Sequence, residues 1–171
     1  VYNRGVEKRD IFLDQNDWVR LQRVLFFLNN TQAVDLREVR DVNFSDFEKK
    51  GVLVAIGAYC LMPNHFHILV KEVEERGISR FMEKVATSYA KYFNAKYDRV
   101  GPLFQGRFKA EHVNRDEYLK YLFAYIHLNP VKLVEPSWRE KGITDLDRAV
   151  RHLHGYRHSS YLDYMMFLIL S

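Results

Sequence analysis

Two runs of β-favouring residues flank Met62-Pro63-Asn64, and this stretch constrains the fold more than any other part of the chain. Val52 to Cys60 is rich in β-branched and small apolar residues, Pro63-Asn64 supplies a turn, and His65 to Val73 returns, which predicts an antiparallel pair. Side chains alternate faces along a strand, so His65 and His67 point one way while Phe66, Ile68 and Val70 point the other. Two imidazoles are thereby held side by side on a strand anchored by its opposite, apolar face. Such a pair is half of a metal site. Spacing alone also permits one histidine bonded in the core and one at the surface.

The other half is expected in Tyr118 to Asn129. A helix from about Arg115 to Leu128, with Asn114 as its cap and Pro130 beyond its end, places Tyr125 and Asn129 one turn apart on one face. A phenol and an amide can then converge on one ion or one phosphate. With 11 tyrosines in the chain, register singles out Tyr125: Tyr118, Tyr121, Tyr125 and Asn129 share a face beside the more apolar stripe of Leu119, Leu122 and Ile126. Half-buried packing is the competing reading for Tyr125, and Tyr121 is the fallback nucleophile.

Elsewhere the coarse pattern is regular. Val1 to Arg4 reads as the end of a strand closed by Gly5, and Asp14 caps a helix from about Gln15 to Leu28 with Trp18, Leu21, Leu25 and Leu28 on its buried stripe. Thr31 to Lys50 is a charged connection, with Ser45-x-x-Glu48 as a candidate capping box. Ile78 to Tyr97 repeats apolar residues at helical spacing until Gly101-Pro102, and Leu103 to Val113 reads as a fourth strand. The expected fold is α+β: a ferredoxin-like βαββαβ antiparallel sheet with helices on one face and a C-terminal helical extension. Residues 1–135 form the expected catalytic domain. Residues 136–171 form a helical tail packing on it, with a helix from Thr144-Asp145 to about His154 and an apolar stretch, Ser160 to Leu170, that needs burial.

Length bounds this reading: 171 residues at 47% hydrophobic suffice for one domain with a real core. The net charge of +4 permits a polyanionic partner without demanding one. Cys60 is the only cysteine, which excludes an internal disulfide, disfavours a thiolate metal site and suits a cytoplasmic setting. No apolar run approaches a membrane span, and the start lacks a signal-peptide layout. The chain starts at Val1, so the expectation is that its natural beginning, with part of the first strand, lies upstream.

Taken together these features resemble one family. Tyr2-Asn3-Arg4-Gly5, Leu61-Met62-Pro63-Asn64-His65-Phe66-His67, Gly101-Pro102-Leu103-Phe104-Gln105-Gly106-Arg107-Phe108 and Tyr125-Ile126-His127-Leu128-Asn129-Pro130-Val131-Lys132 are similar to motifs of the single-tyrosine HUH (His, hydrophobic, His) transposases. Within these, the insertion sequence 200-like and repeat-associated tyrosine transposases match. The resemblance implies that Tyr125 attacks DNA, that His65, His67 and Asn129 hold a divalent metal, and that single-stranded or hairpin DNA is cut and rejoined through a 5′-phosphotyrosine link. It allows a homodimer. Two imidazoles and an amide oxygen without thiolate point to Mg²⁺ or Mn²⁺. The insertion-sequence branch usually has glutamine where this chain has Asn129, whose shorter arm reaches less far.

Phe104, Arg107 and Lys109 interleave aromatic and basic groups, which suits single-stranded DNA, although plain strand alternation gives the same pattern. His112 and Arg115, with Lys84, Lys91 and Lys96 on the second helix, are further phosphate candidates. Two rivals stand beside this reading: a catalytically silent nucleic-acid-binding module on the same sheet, and a metal-dependent phosphohydrolase with water as nucleophile.

Overall fold

A computed structural model describes the backbone of residues 1–170 and the side chains of residues 1–166. The sheet contains β1 (Tyr2–Arg4), β2 (Val54–Met62) and β3 (His65–Glu72) in the order β1-β3-β2, with both pairings antiparallel. β3 is central, so its ladder is paired on both edges: His67 faces Tyr2 on one side and Cys60 on the other, and His65 faces Arg4 and Met62. The turn between β2 and β3 is itself tied down. Ile11 N donates to Pro63 O at 2.8 Å and Gly5 N to Asn64 O at 2.9 Å. Position 5 must be glycine, because a Cβ there would lie 2.3 Å from Arg9 O.

Helices α1 (Gln15–Phe27) and α2 (Gly77–Lys96) cover one face. Leu21, Leu25, Phe81, Val85 and Tyr89 pack there against Leu61, Phe66 and Ile68, forming the main core. Each such fully buried side chain stabilises the fold by about 1.5–3 kcal/mol. The opposite face carries the histidines, and it also carries Ala58, Cys60 and Met62, which meet Ile126 and Tyr156 with Leu69, Phe123 and Tyr125 around them. Helix α3 (Asp116–Leu128) therefore lies on that second face, over the histidines, while the two helices of the βαββαβ unit share the first face as expected. Arg115, not Asn114, stands at the N-cap of α3, and no side chain caps it.

The architecture is α+β, with a correction at the fourth strand. Residues 103–109 run beside β1, in the ferredoxin-like position, but join it only through isolated bridges, Gly5 to Phe104 and Tyr2 to Lys109. The two bridges are out of register, and Gly106, at φ +76°, forms the bulge between them, with Asn3 Nδ2 donating to Gly106 O at 3.2 Å. No regular ladder can form across such a bulge. In the 31–50 connection a short 3-10 turn, Phe44–Asp46, replaces the expected capping box, and Ser45 Oγ donates to Asp46.

Past α3 a 3-10 turn, Asn129–Leu133, leads to α4 (Trp138–Lys141), α5 (Leu146–Gly155) and α6 (Tyr161–Leu170). Asp145 caps α5 through Arg148 N. The tail binds the free edge of β2, with Leu61 N donating to His158 O and Ser160 N to Tyr59 O. On α6, Tyr164 is 40% and Met166 63% exposed. The remainder of the apolar stretch expected to be buried, from residue 167 on, lies outside the residues whose side chains are described.

α1 and α2 are joined by one buried carboxylate. Asp14 caps α1 as expected, in a box completed by Asp17. Asp17, 0% exposed, accepts hydrogen bonds from Leu13 N, Asp14 N, Tyr92 Oη, Tyr97 Oη and Lys96 Nζ. Lys96, bonded to both Asp14 and Asp17, is thus a structural cation and not a free phosphate contact. Lys84, which donates to Asn30 O and Gln32 O, is likewise occupied. Burial raises the Asp17 pKa, but the bonds from Lys96, Tyr97, Leu13 N and Tyr92 outweigh it, and the net shift is downward. A lowered folded-state pKa gives stability that is complete above the ordinary carboxylate range near ~4 and is lost as pH falls through the lower folded value. Asp17→Asn is expected to cost about 3 kcal/mol at neutral pH and to flatten the acid dependence below pH ~4. Urea unfolding of both proteins at neutral and acid pH checks this; equal acid sensitivity would contradict it.

Candidate active site

His65 and His67 project from the central strand towards α3, with ring centroids 5.2 Å apart and planes at 87°. Both are mostly buried. Desolvation lowers the His65 pKa to about 4, helped by the positive charges of Arg4, Lys132 and Arg139. Desolvation likewise lowers His67 to about 3, aided by His65, Arg139 and Arg4. Both imidazoles are therefore neutral at physiological pH and keep a lone pair. The Asn64 Oδ1 to His65 Nδ1 contact of 2.6 Å fixes one tautomer: a carbonyl oxygen only accepts, so Nδ1 carries the proton and Nε2 stays free. Asn64 Nδ2 is anchored in turn on Lys8 O at 3.1 Å.

Tyr125 comes from the last turns of α3. Its ring stands edge-on to His67, with centroids 5.6 Å apart and planes at 86°. One turn on, Asn129 is 1% exposed, and its Nδ2 donates to Tyr125 O at 2.9 Å, which aims Oδ1 away from the helix axis. That oxygen accepts from Arg139 Nη2 at 3.2 Å, and the same guanidinium donates to Tyr125 Oη and lies 4.4 Å from the centre of its ring. The Asn-Pro turn after α3 reverses the chain and brings α4, hence Arg139, back over the helix end.

Arg139 was not legible as a site residue. It sits in a four-residue helix without periodicity, and only the reversal at Asn129-Pro130 places it. Asn64 was legible as a turn residue, but its grip on His65 needs the side-chain geometry.

The residues expected to bind DNA separate. Arg107, Lys109, His112 and Arg115 are exposed. Lys109 pairs through its backbone with Tyr2, whose ring lies 5.7 Å from His67. His112 and Arg115 line an open cleft of about 1440 Å³ that also contains His67, Tyr125 and Arg139. Phe104 is corrected: it is 6% exposed and packs against Phe66 and Tyr89, so its ring belongs to the core and is closed to bases.

The donor types fit a divalent ion of nitrogen and oxygen preference: two neutral imidazoles on one strand face, and at the end of α3 the buried amide of Asn129, whose oxygen is held by Arg139. Among the described residues no group of three or more His, Cys, Asp or Glu side chains is placed to hold a metal, so an amide or substrate oxygen must complete any site here. Burial pushes the Cys60 thiol up, and it stays protonated.

A half-buried imidazole pair and a tyrosine held by arginine thus lie together on one face of an α+β sheet. Residues 28–129, more than half of the chain, match the family described as "Transposase IS200 like". The chain belongs to that family. Among solved structures it is similar to a REP-associated tyrosine transposase bound to a REP hairpin, with a TM-score of 0.54 at 15% identity over 95% of this chain and 74% of that one. A likeness at that identity speaks for the fold. No match was found among curated proteins.

Loss of a partner that orients a metal-ligating histidine typically weakens metal affinity about 10- to 100-fold. Asn64→Ala is expected to weaken Mn²⁺ binding within that range, measured by titration calorimetry, with the thermal midpoint little changed. Unaltered Mn²⁺ affinity would separate Asn64 from any metal role.

Proposed function

We propose that this chain cuts and rejoins single-stranded, hairpin-associated DNA by transesterification, with Tyr125 as nucleophile. One observation carries the reading: the Tyr125 hydroxyl is bonded by Arg139 while its ring packs on His67, so a phenol, a cation and one of the two neighbouring imidazoles meet in an open cleft. Family membership and the hairpin held by the similar structure support DNA as the substrate. We place this activity in the cytoplasm; among the described residues no helix is long and apolar enough to cross a membrane.

The chemistry follows from the residues. The cleft, with Arg4, Lys132 and Arg139 near the histidines, attracts the phosphodiester. Tyr125 Oη attacks phosphorus in line, the bond from phosphorus to the 3′ oxygen breaks, the phenolic proton leaves to solvent, and the 3′ oxygen takes up a proton as a hydroxyl. The products are a 5′-phosphotyrosine and a free 3′ end. A 3′-hydroxyl from a second strand reverses the step and regenerates Tyr125, so the phosphodiester is re-formed without a nucleotide cofactor. A divalent ion, Mg²⁺ or Mn²⁺, held by His65 and His67 with Asn129 alongside, would neutralise charge on the phosphoryl oxygens. Asn64 holds the His65 tautomer this requires. Arg139 orients Oη and offers a fixed positive charge where the phosphate must sit.

Incubation with Mn²⁺ and a labelled hairpin oligonucleotide is expected to give a covalent adduct that survives denaturant, with the mass of the protein plus the 3′-side fragment. Tyr125→Phe removes only the attacking oxygen and should abolish the adduct with little loss of stability. DNA mapped to another tyrosine would overturn the assignment, and cleavage without adduct would favour hydrolysis by water.

Arg139→Ala is expected to slow adduct formation about 100-fold or more, the scale of losing one preorganised charge stabiliser. Arg139→Lys should recover only part, since an ammonium keeps the charge but loses the planar guanidinium that lies 4.4 Å from the centre of the Tyr125 ring. Single-turnover rates decide between this and a dispensable Arg139, for which the alanine variant would match the parent.

A further inference from the structure

We propose that Tyr118 and Tyr121 form a stacking platform for the single-stranded DNA adjoining the scissile phosphate, leading the strand along α3 to Tyr125. This rests on the reading of Tyr125 as nucleophile. The rings of Tyr118 and Tyr121 are 6.2 Å apart and within 14° of parallel, and those of Tyr121 and Tyr125 are 6.1 Å apart and within 20°. Three rings thus present their faces in one series that ends at the reactive hydroxyl.

Packing within the fold accounts for Tyr125 but not for Tyr121. The apolar contacts of α3 come from its C-terminal half, around Phe123, Tyr125 and Ile126, whereas Tyr121 is 61% exposed. Tyr118 is fixed by its hydroxyl, which donates to Glu111 at 2.6 Å. Both rings line the same cleft as His67, Tyr125 and Arg139.

The surroundings favour a polyanion with exposed bases. Arg115, Lys120 and Arg139 line the same cleft as the rings. Three acids line the cleft, Glu72, Glu111 and Asp116, against four side-chain cations, Lys71, Arg115, Lys120 and Arg139; Glu72 accepts from Ile78 N, Glu111 from Tyr118, and Asp116 lies in the first turn of α3. Every base has a π-face, so stacking on tyrosine is tolerant of sequence and demands an unpaired strand. A duplex offers no free base faces to such a row.

The test is binding without chemistry. Fluorescence anisotropy in chelator compares a hairpin carrying a single-stranded extension with the same hairpin made blunt, for the parent chain, Tyr121→Ala and Tyr121→Phe. Loss of one base stack corresponds to roughly tenfold in affinity. Tyr121→Ala should therefore weaken binding of the tailed hairpin about tenfold, leave the blunt hairpin unchanged, and be rescued by Tyr121→Phe. Unchanged affinity for the tailed hairpin, or an equal loss on both DNAs, overturns the platform. If Tyr121 instead pairs with a second copy of the chain, Tyr121→Ala alters the sedimenting mass and not the tailed-hairpin affinity, which also overturns it. The adduct assay on Tyr125 is independent, so a failed platform and a failed nucleophile give different patterns.

Discussion

Pairing of β3 along both edges, to β1 and to β2, fixes the plane from which His65 and His67 project. The alternation of one strand then divides labour between its faces. Phe66 and Ile68 are each 1% exposed and lock the strand onto α1 and α2, and the alternate residues, His65 and His67, present the imidazoles to α3. A slip of one residue in this register would exchange core and chemistry. The turn that sets the register is held by Gly5 and Ile11 from the N-terminal segment, so the chain start and the hairpin share responsibility for the site.

Burial does the electrostatic preparation. Desolvation strips the histidines of charge, and the surrounding cations reinforce it, giving neutral imidazoles in a positive field. Such a field favours an anion beside the imidazoles, and Arg139, bonded to both Tyr125 and Asn129, is the cation that touches the phenol.

Much of this was legible in the sequence, and the failures have physical causes. The hairpin, α1, α2, α3 and the start of α5 follow from periodicity, turn residues and caps. The fourth strand fails because residues 103–109 alternate like a strand while Gly106 inserts a bulge that alternation does not reveal. That Tyr156 would join Ile126 against Ala58, Cys60 and Met62 on the histidine face carries no periodic signal and follows only from the path of the tail. Phe104 fits the pattern of a base-stacking aromatic and of a core residue equally; only burial separates them. His65, His67, Tyr125 and Asn129 could be paired on paper by strand and helix spacing, whereas Arg139 and the orienting role of Asn64 depend on chain reversals and side-chain bonds that have no period.

The central claim is that two neutral imidazoles on β3 hold a divalent ion beside Tyr125. Pulsed electron paramagnetic resonance of bound Mn²⁺, with the histidines labelled with ¹⁵N, tests it most directly. Two directly bound imidazole nitrogens are expected in the parent chain, one in His65→Ala and one in His67→Ala. Mn²⁺ bound with no imidazole coupling, or with coupling unchanged in both variants, would contradict the account.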